Sequence, residues 1–271
     1  MRLIKCIFTE SDCFKNGSTI VPTGVMWHST GANNPNAKRY AQPSDNDENR
    51  VELYAAIGIN RNQNDWNRPG VNKCVHAFIG KVADGNVATV KCLPWNYRGW
   101  HAGTGTKGQS ANNTHISFEV CEDDLTDEDY FNKVYREGIE LTAMLCAENN
   151  LDPMVPGVVI SHHEGAEMGI ASNHSDIDHW LSRFGKTMDD VRRDVKEAME
   201  NDMMQEQFDV LMDNYLARRA TIPPSAWSGT AREWAESVGL IVGNEKGEKM
   251  YNSWVTREQL MQFLYRLKNE L

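Results

Sequence analysis

The sequence of 271 residues has no long apolar run and no surplus of basic side chains. A membrane-spanning helix needs about 18 or more consecutive apolar residues, so we expect no membrane span. The formal net charge is -10 at pH 7, whereas a protein that binds the phosphates of a nucleic acid needs a basic surface. We therefore expect no nucleic-acid partner.

The chain also lacks a recognisable export signal and closely spaced cysteines. Residues 1–12 have neither the continuous apolar segment nor the small-residue cleavage site of a signal peptide. We therefore expect synthesis in a cytoplasm, with any extracellular target reached by another route. The six cysteines include no C-x-x-C pair. Such cysteines are expected to be buried, reduced thiols, with disulfides and zinc ligation as the alternatives.

The hydrophobic pattern of residues 1–198 predicts an α/β domain. Apolar runs at 25–27 and 157–160 are typical of buried strands, and they lead into His28 and His162 respectively. Each histidine is therefore expected at the end of a strand.

Other segments of this domain have equally clear patterns. Residues 75–79 and 87–90 flank a turn and predict a hairpin. Residues 116–120 alternate, which places Glu119 on the face opposite to the apolar side chains of the same strand. Residues 128–149 have the apolar spacing of a helix.

The character of the chain changes near residues 200–202. Helical spacing at 208–218, 228–238 and 256–267 predicts a small all-α domain over residues 204–271. The sequence thus indicates two domains of different class.

Five side chains together have the composition of an open zinc site: His28, Glu119, His162, His174 and Asp176. A catalytic zinc ion has three protein ligands and a fourth position for water. A carboxylate that is not a ligand can move the proton of that water. The combination predicts metal-assisted amide hydrolysis.

Eight short segments follow one another between residues 20 and 195: VMWHST at 25–30, VHAFI at 75–79, DG at 84–85, LPWN at 93–96, GWHAG at 99–103, NTHISFE at 113–119, ISH at 160–162 and HSD at 174–176. In order and spacing they resemble the zinc-dependent N-acetylmuramoyl-L-alanine amidases related to peptidoglycan recognition proteins and small phage lysozyme-amidases. The resemblance implies a mixed β-sheet flanked by helices, with a zinc groove on one face. It also implies cleavage of the amide between N-acetylmuramic acid and L-alanine in peptidoglycan.

The resemblance assigns roles to the five side chains. His28, His162 and Asp176 are the implied ligands of Zn²⁺, and Glu119 is the carboxylate that handles the protons. His174 stands where many relatives have lysine. We expect it to stabilise the oxyanion, either as a cation or as a neutral hydrogen-bond donor.

Four further residues are implied to line the substrate groove: His76, Trp95, Trp100 and His101. The tryptophans are equally suited to the core. The loop between His162 and Asp176 is longer than in the simplest relatives. This leaves His163, Glu164 and His179 open as alternative ligands or as side chains that contact the ligands.

The C-terminal segment around residues 226–259 resembles a single S-layer homology module, a family that binds secondary wall polymers. Arg232 and Arg257 are candidates for contacts with anions. Such modules commonly act in threes, so the single copy leaves three alternatives. It binds the wall, it mediates self-association into a homo-oligomer, or it packs inertly.

These features predict a peptidoglycan hydrolase with a wall-targeting tail. The expected protein is a phage or prophage endolysin of a Gram-positive host, made in the host cytoplasm and acting on the cell wall after release. One alternative is a non-catalytic peptidoglycan-binding recognition protein, which would lack the metal ligands. Another is a cytoplasmic amidase that recycles wall fragments, which would have no need of a wall-binding module.

Overall fold

The computed structural model describes the backbone of residues 1–270, and the side chains of that range except those of residues 203, 204, 269 and 270. The chain divides into two compact units, residues 1–200 and the residues from 201 onward. The last residue of the domain expected at 204–271 lies outside the described range.

Six strands form one mixed sheet: β1 (Leu3–Lys5), β2 (Gly24–Ser29), β3 (Ala77–Lys81), β4 (Val87–Lys91), β5 (His115–Val120) and β6 (Val159–Ser161). Their order across the sheet is β1-β4-β3-β5-β2-β6. Neighbouring strands are parallel, except that β3 and β4 form the expected antiparallel hairpin. The prediction of a mixed sheet is confirmed.

The first unit also contains helices: α1 (Asp12–Asn16), α2 (Arg50–Ile57), α3 (Glu128–Glu148), α4 (His162–Glu167), α5 (Asp178–Arg183) and the start of α6 (Met188–Ala220). Short 3₁₀ turns occupy Ala37–Arg39 and Ala111–Asn113. The predicted helix at 128–149 corresponds to α3, which begins where the Asp127 side chain accepts a hydrogen bond from the Tyr130 N–H.

The larger apolar cluster lies between helix α3 and the face of the sheet that this helix covers. Trp27 of β2 and Phe118 of β5 pack in this cluster, with their rings edge to face at 4.9 Å between centroids. A Cβ added at Gly138 of α3 would lie only 2.6 Å from the Trp27 ring, so the close approach of helix and sheet needs glycine there. Because side chains alternate along a strand, His28 and Glu119 point to the opposite face.

The long helix α6 runs through residues 200–202, where the character of the sequence changes. It continues from Met188 to Ala220 without interruption. No glycine or proline occurs in this range, so nothing in the local sequence ends the helix. It stops just before Pro223 and Pro224, which cannot continue it.

Beyond α6, the second unit contains a 3₁₀ turn at Ala226–Ser228, helix α7 (Gly229–Ser237) and helix α8 (Arg257–Glu270). Helix α8 begins with the capping box that Thr256 forms with Gln259. A C-terminal helical segment is therefore present, as the sequence indicates.

Two further expectations concern the described part of the chain as a whole. Over those residues, no helix combines the length and apolar character needed to cross a bilayer. All six cysteines are buried, and five of them pack in the second apolar cluster, on the other side of the sheet from α3.

Candidate active site

Parallel strands bring the candidate ligands together. In the register of β2 and β6, Trp27 pairs with Ser161, so His28 and His162 follow at the same edge of the sheet. Ser161 caps helix α4 in a capping box with Glu164, which fixes His162 as the first residue of the helix. The His162 N–H donates to the backbone oxygen of Asp176 at 3.1 Å, and this hydrogen bond holds the long loop against the strand end.

Three ligand atoms of these residues form a small triangle. The His28 Nδ1 lies 3.0 Å from the His162 Nδ1 and 3.1 Å from the Asp176 Oδ2. The His162 Nδ1 lies 3.6 Å from the same carboxylate oxygen. In a tetrahedral zinc site with bonds of about 2.0–2.1 Å, ligand atoms lie roughly 3.3 Å apart. The triangle fits that spacing, and its two nitrogens and one oxygen suit zinc.

The protonation of the cluster also suits a cation. Burial lowers the pKa of His28 and outweighs the opposing effect of Asp176, which favours a neutral imidazole with a free lone pair. Burial alone would raise the pKa of Asp176, but hydrogen bonds with His162 and His28 hold that pKa well below its usual range. An ionised carboxylate therefore faces the two rings.

Glu119 stands directly beside this cluster. It is the register partner of His28 on the neighbouring strand, and strands in a sheet are about 4.8 Å apart. Its Oε2 is buried and has no hydrogen-bond partner among the described residues. Burial, reinforced by the charge of Asp176, raises the pKa of Glu119 to about 8. The side chain can thus exchange a proton near neutral pH, and it has a free oxygen to do so.

The cluster lies in a groove of about 500 Å³ with a strongly polar wall. The described residues that line it are His28, Ser29, Thr30, Gly31, His101, Glu119, Glu122, His162, Ser172, His174, Ser175, Asp176 and His179. The ring of His174 lies 4.7 Å from that of His162 between centroids. The structure therefore brings all five residues of the expected zinc site to one groove.

The four residues expected to contact substrate lie in different places. His101 lines the groove, with its Nδ1 3.0 Å from the His28 Nε2. His76 is fully buried. Its Nδ1 accepts from the Ser117 N–H at 3.0 Å, and its Nε2 donates to the Tyr97 carbonyl at 2.7 Å. With both nitrogens engaged, His76 is a core residue of the sheet and not part of the groove wall.

The two tryptophans lie outside the described groove wall. Trp95 packs against the larger apolar cluster, and the Lys91 ammonium lies 4.2 Å from the centre of its ring. Trp100 packs against the second apolar cluster and pairs with Cys74 through backbone hydrogen bonds. Both are half-buried.

The structure also shows the contacts of the three residues whose roles the sequence left open. The His163 Nε2 lies 3.6 Å from Glu167 on the exposed side of α4, and Glu164 binds Arg192. Only His179 reaches the groove, where its Nε2 lies 3.1 Å from the Glu122 Oε1.

Sequence reasoning missed Glu122 together with Ser172 and Ser175, which also line the groove. Glu122 lies two residues beyond the end of β5, so the end of that strand was the available signal. The two serines reach the groove because the loop between His162 and Asp176 folds back toward the ligand triangle.

Comparison with known proteins identifies the catalytic fold. The family model "N-acetylmuramoyl-L-alanine amidase" matches residues 17–179. The chain belongs to this family. No curated protein sequence matches the chain at a significant level.

Several solved structures have a similar fold. One is the hydrolase AmiA from Staphylococcus aureus in complex with its ligand, with 16% sequence identity and a TM-score of 0.50 over 74% of this chain and 84% of that one. Another is a mutant endolysin from Bacillus subtilis, with 20% identity and a TM-score of 0.46 over 72% of this chain and 99% of that one. A third is the catalytic domain of XlyA, with 18% identity and a TM-score of 0.47 over 72% and 99% of the two chains. At these identities the similarity concerns the fold.

Proposed function

We propose that the protein is a zinc-dependent peptidoglycan hydrolase that cleaves the amide between N-acetylmuramic acid and the L-alanine of the stem peptide. Membership of the amidase family supports the reaction class. The single observation that carries the proposal for this chain is the triangle of His28, His162 and Asp176 beside a Glu119 oxygen that has no hydrogen-bond partner among the residues described.

The ligands in this proposal are the His28 Nδ1, the His162 Nδ1 and the Asp176 Oδ2. Bound zinc would supply Lewis acidity, which polarises the substrate carbonyl and lowers the pKa of water toward neutrality. The carboxylate and the two imidazoles would hold the cation at the edge of the sheet, on the wall of the groove.

Glu119 is the proton-transfer residue in this proposal. Its carboxylate accepts a proton from the attacking water and delivers it to the leaving amine nitrogen. The buried Oε2, to which no residue of the described range donates a hydrogen bond, supports this role, because a carboxylate already engaged in hydrogen bonds would be a weaker base.

His174 is proposed to donate a hydrogen bond to the oxyanion that forms on the substrate carbonyl. A preorganised donor near developing negative charge is among the strongest contributions to catalysis. The placement of its ring beside that of His162, on the wall of the groove, supports the assignment.

For the C-terminal unit we propose wall targeting, with an S-layer-homology-like module that binds a secondary wall polymer. The side chains of Trp227 and Trp254 are 88% and 62% exposed, and tryptophan is enriched at binding interfaces relative to the rest of protein surfaces. Self-association is the alternative that a specific observation favours. Leu260, Leu264 and Leu267 recur at helical spacing along α8, and all three are exposed.

The proposed biological role is that of a phage or prophage endolysin acting on a Gram-positive wall after release from the host cytoplasm. The presence of a complete donor set and a free carboxylate argues against a non-catalytic recognition protein. The proposed wall-binding unit argues against a cytoplasmic recycling amidase.

The test is digestion of purified Gram-positive sacculi, with and without a chelator, followed by analysis of the products. We expect intact stem peptides with free L-alanine amino groups, and we expect the chelator to stop their release and added zinc to restore it. New reducing sugars without free L-alanine would contradict the proposal and indicate a glycosidase.

A further inference from the structure

The imidazole of His28 uses both of its nitrogens. Its Nδ1 belongs to the ligand triangle, while its Nε2 faces away and lies 3.0 Å from the His101 Nδ1. The two rings meet edge to face, with 5.1 Å between centroids and 78° between planes. This edge-on arrangement aligns the two nitrogens for a hydrogen bond.

A neutral imidazole carries a single proton, on one nitrogen or the other. For the Nδ1 of His28 to present a lone pair to a cation, the proton must be on Nε2, and that buried N–H needs an acceptor. The described partner at hydrogen-bond distance is the His101 Nδ1. This contact is also the only ring hydrogen bond described for His101, since its buried Nε2 has no partner in the described part of the chain.

The backbone that carries the His101 ring is held in place by hydrogen bonds that do not involve His28. The side-chain oxygen of Asn112 accepts from the N–H groups of His101 and Ala102, at 2.7 and 2.9 Å. The preceding residue, Trp100, exchanges two backbone hydrogen bonds with Cys74, at 2.9 and 3.1 Å. The backbone of His101 is therefore positioned by Asn112 and by the bridge between Trp100 and Cys74, independently of His28.

The second imidazole ligand is supported from the same loop. The His162 Nε2 lies 3.3 Å from the Ser172 Oγ. That hydroxyl donates to the Ala102 carbonyl at 3.2 Å, which leaves its oxygen free to accept from the His162 Nε2–H. His101 thus contacts the Nε2 of His28 directly, and Ala102 contacts the Nε2 of His162 through Ser172.

We propose that His101 is a positioning residue that accepts the Nε2 proton of His28 and thereby holds His28 in the tautomer whose Nδ1 binds the metal. This inference rests on the proposed metal site. It gives His101 a role different from contact with substrate, because the Nδ1 of His101 faces the imidazole of His28.

Two substitutions test the acceptor. His101→Phe keeps a planar ring but removes the acceptor, whereas His101→Asn places an amide oxygen near the position of Nδ1. Zinc affinity is measured by competition with a chromogenic chelator, with His163→Phe as the control for loss of an exposed histidine. Partners of metal ligands typically contribute 10–100-fold to affinity. We expect a loss of that size for His101→Phe, affinity within a few-fold of wild type for His101→Asn, and no change for the control.

A spectroscopic measurement tests the hydrogen bond in the zinc-loaded protein. In ¹⁵N-histidine-labelled protein, long-range ¹H–¹⁵N spectra report which nitrogen of His28 carries the proton, and the exchange of that proton with water reports whether it is hydrogen-bonded. We expect a slowly exchanging Nε2–H in the wild type and a faster exchanging one in His101→Phe. A zinc-loaded wild type with His28 protonated on Nδ1 would overturn the inference, as would equal zinc affinities of wild type and His101→Phe. Absence of zinc binding by the wild type would instead overturn the proposed function, together with the inference that rests on it.

Discussion

His28 and Glu119 are register partners on the adjacent parallel strands β2 and β5, and both side chains lie on the face of the sheet away from helix α3. The sheet therefore sets the spacing between a metal ligand and the proposed general base. Because both positions are fixed by backbone hydrogen bonds, the pair needs no loop closure to assemble.

The first prediction concerns Glu119. Glu119→Gln keeps the volume of the side chain but removes its ability to carry a proton between water and the leaving amine. Since general acid–base catalysis contributes about 10²–10⁴-fold, we expect the release of L-alanine amino groups to fall at least 100-fold, with zinc content unchanged. Glu167→Gln, on the exposed side of α4, is the matched control and should retain full activity. Normal turnover by Glu119→Gln would show that another group is the base.

The second prediction concerns pH and the buried His76. Burial lowers the pKa of His76 to about 4, with the charge of Lys91 acting in the same direction. An unfolded histidine has a pKa near 6.5, so between these values the unfolded state binds more protons than the native state, and stability falls as the pH falls. The contribution of this one residue is roughly 3 kcal/mol.

The measurement is urea unfolding of the wild type and of His76→Phe at several pH values from 7 to 4.5. We expect the wild type to lose stability steadily toward the acid end, and the variant to show a shallower pH slope. Parallel slopes would mean that burial does not hold His76 neutral in the folded protein.

The third prediction concerns the exposed tryptophans of the second unit. In a Glu119→Gln background, which prevents digestion, Trp227→Ala with Trp254→Ala should weaken binding to intact sacculi at least tenfold. Sedimentation with the walls measures that binding, and Val21→Ala, an exposed apolar residue of the first unit, is the control. If binding is unchanged while sedimentation velocity shows that an oligomer has been lost, the unit serves self-association instead.

Much of the central sheet can be predicted from sequence because its side chains obey simple periodicities. The apolar runs before His28 and His162 place each histidine at the end of a strand, and the alternation around Glu119 places its side chain on the polar face of another. Asp176 lies in a loop, so no periodicity fixes its position, and its role is predicted from the composition of the five side chains and from the resemblance to known amidases.

Other features depend on tertiary contacts that no periodicity reports. His76 resembles a groove residue in sequence, but its position one residue before β3 buries it between Ser117 and Tyr97. Ser172 and Ser175 reach the groove through the fold of a loop. The contact between His101 and His28 joins segments far apart in the chain, and its meaning depends on which ring nitrogen faces which partner.

Metal stoichiometry tests the central claim most directly. Native mass spectrometry of zinc-loaded protein should show one tightly bound ion per chain in the wild type and in His163→Ala. His28→Ala, His162→Ala and Asp176→Ala, each missing one corner of the triangle, should lose that ion under the same conditions. A wild type without a bound ion, or three variants that each retain it as firmly as the wild type, would contradict the account.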